Sequence, residues 1–283
     1  VEDPAIRRTE AHFGGAGART LFRRSWLPQQ PERLLVVVHG YAEHSGRYER
    51  FGAWLAARGC AVHAFDQRGH GRSEGVRGHV RRFDDFLDDL DRLLALVRVE
   101  QPDLPVTVVG HSMGGLVVAS WAERRRPEVA GIVLSGAALR IAEAPSRLQR
   151  VLLRLLRRVT PRLRMPRPIA PEALSRDPEV GRAYQADPLI FQSMTLSLAA
   201  ELFDAAGRTL RDAGDLRLPL LLLHGADDPI VPAAGSREFS ERTGSPECDL
   251  RIYPGLRHEI FNEPEQESVF ADLLAWVRKR EGC

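Results

Sequence analysis

The chain has 283 residues, 43% of them hydrophobic and 28% charged, with a formal net charge of +2. That composition belongs to an ordinary globular protein and excludes collagenous, disordered and disulfide-dense chains. A near-neutral balance leaves no electrostatic footprint for nucleic acid, and no apolar run reaches the ~18 residues a membrane span needs.

Short apolar runs alternate with longer helical patterns. Segments 11–13 and 20–26 read as an antiparallel start to a sheet. Runs at 34–38, 61–65, 106–109, 132–134 and 220–223 are near-continuously apolar, as strands covered on both faces require. Between and after them, 48–58, 83–100, 113–126 and 265–279 read as helices. This is the βαβ alternation of an α/β fold with a mostly parallel sheet flanked by helices. The alternation breaks from about 139 to 215, a stretch interrupted by prolines from Pro145 to Pro188 with no convincing strand. It reads as a helical cap inserted into one core made of 1–138 and 216–283.

Gly110-His111-Ser112-Met113-Gly114 follows the apolar run VTVV and opens a helical pattern. A G-x-S-x-G turn between strand and helix projects a serine Oγ from the sheet edge, with helix N–H groups left free beside it. A serine needs a base, and the base an orienting acid. Of nine histidines, His258 is the only one beyond His224, in the loop YPGLRHEIFNE after the strand-like DLRIY. His12 and His63 lie in strand-like runs and read as structural; His39 and His111 stand in the wrong chain order for a base. The acid falls in His224-Gly225-Ala226-Asp227-Asp228-Pro229-Ile230-Val231, where H-G-x-x-D-x-x-V selects Asp228 and leaves a turn-capping duty for its neighbour. In His39-Gly40-Tyr41 the glycine permits close approach, and the N–H of Tyr41 is the second oxyanion donor beside that of Met113. The loop Asp66-Gln67-Arg68-Gly69-His70-Gly71-Arg72-Ser73 reads as scaffold. No metal set stands out, Gly14-Gly15-x-Gly17 lacks the setting of a nucleotide site, and no cofactor is implied. Cys60, Cys248 and Cys283 are too few and scattered for a disulfide framework. With no signal pattern in VEDPAIRRTE, the expected compartment is cytoplasmic.

HGYAEHSGRYERF, FDQRGHGRSEG, GHSMGG, SRDPEV, YQADPL, HGADDPIVP and YPGLRHEIFNEPE together resemble the monoacylglycerol lipases, within the serine hydrolases that include lysophospholipases. The resemblance runs from about residue 10 to 279. It implies an α/β-hydrolase fold with an eight-stranded sheet, a cap following the sixth strand over an apolar tunnel, and a Ser112–His258–Asp228 triad. Oxyanion donors at Tyr41 and Met113 are implied too, although the family usually has a small residue where Tyr41 stands. The polar pocket for a glycerol head maps onto Glu43, Arg47 and Tyr184. Glu43 and Arg47 read equally well as an ion pair fixing their loop, and Tyr184 as cap packing. The expected reaction is hydrolysis of monoacylglycerols to glycerol and fatty acid. Alternatives are a lysophospholipase or general carboxylesterase with the same triad and, remotely, a silent binding protein.

Leu148, Val151, Leu152, Leu155, Leu156 and Val159 form one helical stripe, with Arg147, Arg150, Arg154, Arg157 and Arg158 over much of the remainder. Such a helix either packs its stripe onto the core or lies on an anionic lipid surface as a peripheral membrane contact. Both hold if the cap opens.

Overall fold

A computed structural model describes residues 6–141 and 146–280. Pro145, Cys283 and the side chains of Arg147 and Arg150 lie outside the described residues. The N-terminal pair is β1 (Ile6–Gly14) and β2 (Thr20–Pro28). There follow β3 (Arg33–Val38), α1 (Glu49–Ala56), β4 (Cys60–Phe65), α2 (Asp84–Glu100), β5 (Val106–His111), α3 (Met113–Arg125) and β6 (Gly131–Ser135). An insert then carries α4 (Arg147–Val159), β7 (Arg164–Pro166), α5 (Pro171–Leu174), α6 (Pro178–Ala186), β8 (Ser193–Thr195) and α7 (Leu196–Asp212). The sheet resumes with β9 (Leu220–Gly225), α8 (Ala234–Arg242), β10 (Cys248–Tyr253) and α9 (Gln266–Arg278).

Eight strands form one sheet in the order β1-β2-β4-β3-β5-β6-β9-β10. Only β2 runs against its neighbours, and every pairing from β4 to β10 is parallel. The fold is that of the α/β-hydrolases, with the helical insert after β6. Strand parity divides the core: Leu34, Val36 and Val38 join Leu87 and Leu90 of α2 and Leu116 of α3, whereas Leu35 and Val37 join Leu55 of α1 and Phe270 of α9. Covering both faces explains why these strands read as unbroken apolar runs. Because β3, β5, β9 and β10 point the same way, the loops at their C-terminal ends gather along one edge, where ligands bind in open α/β sheets.

The insert departs from the sequence reading in one respect and decides between two alternatives that it left open. It contains a ribbon, β7 against β8, too short at three residues a strand to leave an alternation pattern. More consequentially, the stripe on α4 faces outward: Leu148 is 78% exposed, Leu152 and Leu155 52% each, and Val159 80%. Packing of that stripe onto the core is therefore ruled out in this conformation. Arg154 pairs with Asp204 at 2.6 Å and Arg157 with Glu201 at 2.5 Å, both on α7, so the arginine side of α4 turns inward beside half-buried Leu153. Ser146 caps this helix by accepting from the Gln149 N–H, and Gln149 reciprocates. No helix among the described residues is long and apolar enough to cross a membrane.

Candidate active site

Ser112 lies between β5 and α3 with φ 52° and ψ −117°, a conformation that costs a non-glycine residue about 1–3 kcal/mol. The surroundings impose it. The Ser112 N–H donates to Ser135 O at 3.0 Å, and its carbonyl accepts from Leu116 and Ala138 at 3.1 and 2.9 Å. Glycines make room: a Cβ on Gly110 would stand 2.5 Å from Gly114 O, and one on Gly114 would collide with the Val38 carbonyl oxygen.

His258, buried in the loop after β10, brings Nε2 to 3.0 Å from Ser112 Oγ and Nδ1 to 2.6 Å from Asp228 Oδ2. Asp228 Oδ1 accepts the N–H groups of Ile230 and Val231 at 2.8 and 2.9 Å. Asp228 thus both faces His258 and caps the turn, contacts that the sequence reading divided between adjacent aspartates, and Asp227 is exposed. Burial opposes charge on both partners, but each outweighs it in the other. The His258 imidazole is raised above its ordinary value by Asp228, Glu259 and Glu43, and the Asp228 carboxyl is held far below its own by His258, His224 and the Val231 N–H.

His224 completes this arrangement. Its Nε2 lies 3.1 Å from Asp228 Oδ2 and 2.9 Å from Val231 O, while Nδ1 lies 2.8 Å from Ser236 Oγ. A carbonyl oxygen only accepts, so the proton is assigned to Nε2 and the Ser236 hydroxyl donates to Nδ1. The H-G-x-x-D pattern held the signal for this contact, which was read only as a locator for the aspartate. The His111 ring lies 4.9 Å from that of His258, tilted 49° to it; burial and the neighbouring imidazole lower it to about 4, so it stays neutral.

Gly40 closes the other side. A Cβ there would stand 3.0 Å from Ser112 Cβ and 2.9 Å from Glu43 Oε1, and the Gly40 N–H donates to that oxygen at 2.5 Å. His39 braces the loop: Nδ1 faces Gly40 O at 2.7 Å and Nε2 accepts from the Gln67 N–H at 2.9 Å. The Asp66–Ser73 loop is scaffold, with Asp66 accepting from Ser45 and Arg72 N–H groups and Arg68 paired to Asp89 at 2.6 Å. Neither the Tyr41 nor the Met113 N–H donates to an acceptor among the described residues, and both adjoin this approach of Gly40 to Ser112.

Glu43, Arg47 and Tyr184 do come together, but the polar groups of Glu43 and Arg47 are largely taken up within the protein, whereas the Tyr184 hydroxyl is buried with no partner among the described residues. Glu43 accepts from Gly40, from Tyr48 Oη at 3.0 Å and from Arg47 at 3.3 Å. Arg47 grips Glu259 through two bonds of 2.5 and 2.8 Å and lies 5.1 Å from the centre of the Tyr184 ring. Burial opposes ionisation of Glu43, yet Arg47, His111 and His39 hold its carboxyl at about 2. Sequence reasoning missed Glu259 and Tyr48, whose partners are remote or unpatterned. Beside Ser112 opens a cavity with a mostly apolar wall, including Met113, Leu116, Ala138, Ile169, Met194, Leu202 and Val231. Among the described residues, no group of three or more His, Cys, Asp or Glu is arranged to hold a metal ion.

Ser112, hydrogen-bonded in line with His258 and Asp228, thus borders a mostly apolar cavity, an arrangement suited to acyl transfer from a lipid-like ester. The family model described as "Serine aminopeptidase, S33" matches residues 29–265. The chain is 38% identical over 272 residues to the monoacylglycerol lipase of Mycolicibacterium smegmatis, covering 95% of this chain and 97% of that protein. It is 35% identical over 274 residues to the monoglyceride lipase of Homo sapiens, covering 95% and 90%. The crystal structure of Paleococcus ferrophilus monoacylglycerol lipase superposes with a TM-score of 0.81 at 33% identity, covering 90% of this chain and 97% of that one.

Proposed function

Because the chain belongs to the monoacylglycerol lipase family, among the serine aminopeptidase S33 group of α/β-hydrolases, we propose that it cleaves monoacylglycerols to glycerol and free fatty acid. At the coarser level it is a carboxylic ester hydrolase of the lipase and esterase group. The observation that carries the finer reading is the hydrogen-bonded line Ser112–His258–Asp228, whose serine end lies on the wall of a mostly apolar cavity.

In this reading Ser112 Oγ attacks the ester carbonyl as His258 Nε2 takes its proton. Asp228 orients the ring and stabilises the imidazolium. The backbone N–H groups of Tyr41 and Met113 hold the oxyanion; one such donor is worth about 2.7–4 kcal/mol of transition-state stabilisation. His258 then protonates the departing glycerol oxygen, and water repeats the sequence on the acyl-enzyme to release the fatty acid. Because His258 must be neutral to act as base and its imidazole is raised, activity climbs as pH rises above the ordinary histidine range. Glu43, Arg47 and Tyr184 face the glycerol end, Glu43 also fixing the Gly40 turn.

Residues 139–215 act as the cap over a core of 1–138 and 216–283. The outward stripe of α4, with exposed Arg158 and Arg162 nearby, supports a peripheral contact with anionic lipid through which substrate arrives. The test is turnover of mono-, di- and triacylglycerol and lysophosphatidylcholine carrying one acyl type. A steep preference for the monoacylglycerol is expected. Preference for the lysophospholipid would make the chain a lysophospholipase, and a flat profile a general carboxylesterase.

A further inference from the structure

Tyr41 brings two groups to the site, and the mechanism uses only its N–H. Tyr41 belongs to the cavity wall beside Ser112. Its position is set from several sides. Gly40 before it is held against Ser112 and Glu43, and Ala42 after it takes φ 61°. The ring stands edge-on to Phe191 of the insert, with centroids 5.5 Å apart and planes at 90°, and edge-on to His70 at 6.5 Å. It is wedged between the Gly40 turn and the insert.

The hydroxyl at the end of this fixed ring is buried, and no described residue accepts its hydrogen. Burial, with the Tyr184 phenol nearby, keeps it protonated, so it is a permanent donor. Leu116, Ile169, Met194, Leu202 and Phe203 of the same wall carry no strong side-chain acceptor; of its polar members, the Ser112 hydroxyl is engaged with His258 and the Arg167 guanidinium can only donate. A desolvated donor without an acceptor is a standing cost. A plain hydrocarbon chain in this cavity leaves that cost in place; a chain carrying an oxygen relieves it. Sites that hydrogen-bond a substrate oxygen discriminate against the analogue lacking it.

We propose that Tyr41 is a specificity-determining residue for the acyl half of the ester, its hydroxyl selecting acyl chains with a hydroxyl or keto oxygen near the carbonyl end. The oxygen falls within the first few carbons because the phenol and the oxyanion donor belong to one residue. This rests on the reading of Ser112 as nucleophile and of the cavity as the acyl site.

The experiment compares kcat/KM for 3-hydroxydecanoyl, 10-hydroxydecanoyl and decanoyl glycerol in wild type and Tyr41→Phe. The expected result is a 3-hydroxydecanoyl to decanoyl ratio about tenfold lower in the variant, one hydrogen bond's worth, with the 10-hydroxydecanoyl ratio unmoved. An unchanged 3-hydroxydecanoyl ratio, or a fall shared equally by the distal hydroxyl, would overturn the proposal. The same acyl series as p-nitrophenyl esters separates the two levels: if wild type cleaves these and not the glycerol esters, the glycerol reading fails while the Tyr41 ratio is still read.

Discussion

His224 donates from Nε2 to the Asp228 oxygen that faces His258, 3.1 Å away, and so the Asp228 carboxylate is held between two imidazoles. The donation spreads the carboxylate's charge and fixes its plane. Removing it in His224→Ala concentrates that charge on His258. The acid limb of kcat/KM is then expected to move to higher pH, with kcat reduced about 10–100-fold through looser positioning and KM little changed. His224→Gln, which can present an N–H at a similar position, is expected to recover part of both effects. A pH–rate profile in which the alanine variant loses rate with no movement of the limb would contradict the assignment.

Glu43 ties the Gly40 turn to Arg47. Its carboxyl is at about 2 in the fold against an ordinary 4.5, so its stabilising contribution is complete above 4.5 and lost as pH falls toward 2. Glu43→Gln keeps an acceptor for the Gly40 N–H and leaves Arg47 with Glu259. A loss of about 2 kcal/mol at pH 7 is expected, below the ~3–5 kcal/mol of a buried pair broken outright. Urea unfolding should show this difference narrowing at pH 3.5. A gap of equal size at both values would exclude the ionised pair as its source.

Glu123 behaves in the opposite sense. It is 5% exposed on α3, Oε1 has no partner among the described residues, and burial with the charges of Asp212 and Asp215 pushes its carboxyl up to about 9. Between 4.5 and about 9 the folded chain keeps a proton that the unfolded chain releases, so stability falls with rising pH across that window. Glu123→Gln is expected to remove this fall. The variant should melt near wild type at pH 5 and higher at pH 8.5, by ~2–4 °C for each kcal/mol relieved. Scanning calorimetry at the two values checks it.

The position of Ser112 was readable because local chemistry confines it: an apolar strand, two glycines that tolerate no Cβ and an apolar helix occupy consecutive positions. His258 followed from chain order, and Asp228 from its motif. Glu259 did not, because the Arg47 it grips lies 212 residues away and nothing local marks the pair. The facing of α4 stayed open in the sequence for a related reason. Its periodicity was correct, but Asp204 and Glu201, on a different helix, determine which side turns inward. Helix α8, with the polar sequence AGSREFSER, gave no apolar stripe to read.

Exposure of Leu152 and Leu155 makes the lipid contact testable without disturbing the fold. Wild type is expected to sediment with vesicles rich in anionic lipid, less so at high salt. The double variant Leu152→Asp/Leu155→Asp should bind more weakly and melt within a few degrees of wild type, because both side chains are half in solvent already. Equal sedimentation of the two proteins would remove α4 as the contact.

The most direct test of the central claim is intact-mass and peptide mapping after fluorophosphonate treatment, run alongside fatty-acid release from a monoacylglycerol in wild type and Ser112→Ala. One adduct on Ser112, with labelling and release both abolished in the variant, is the expected result. An adduct on another residue, or monoacylglycerol turnover persisting in Ser112→Ala, would contradict it.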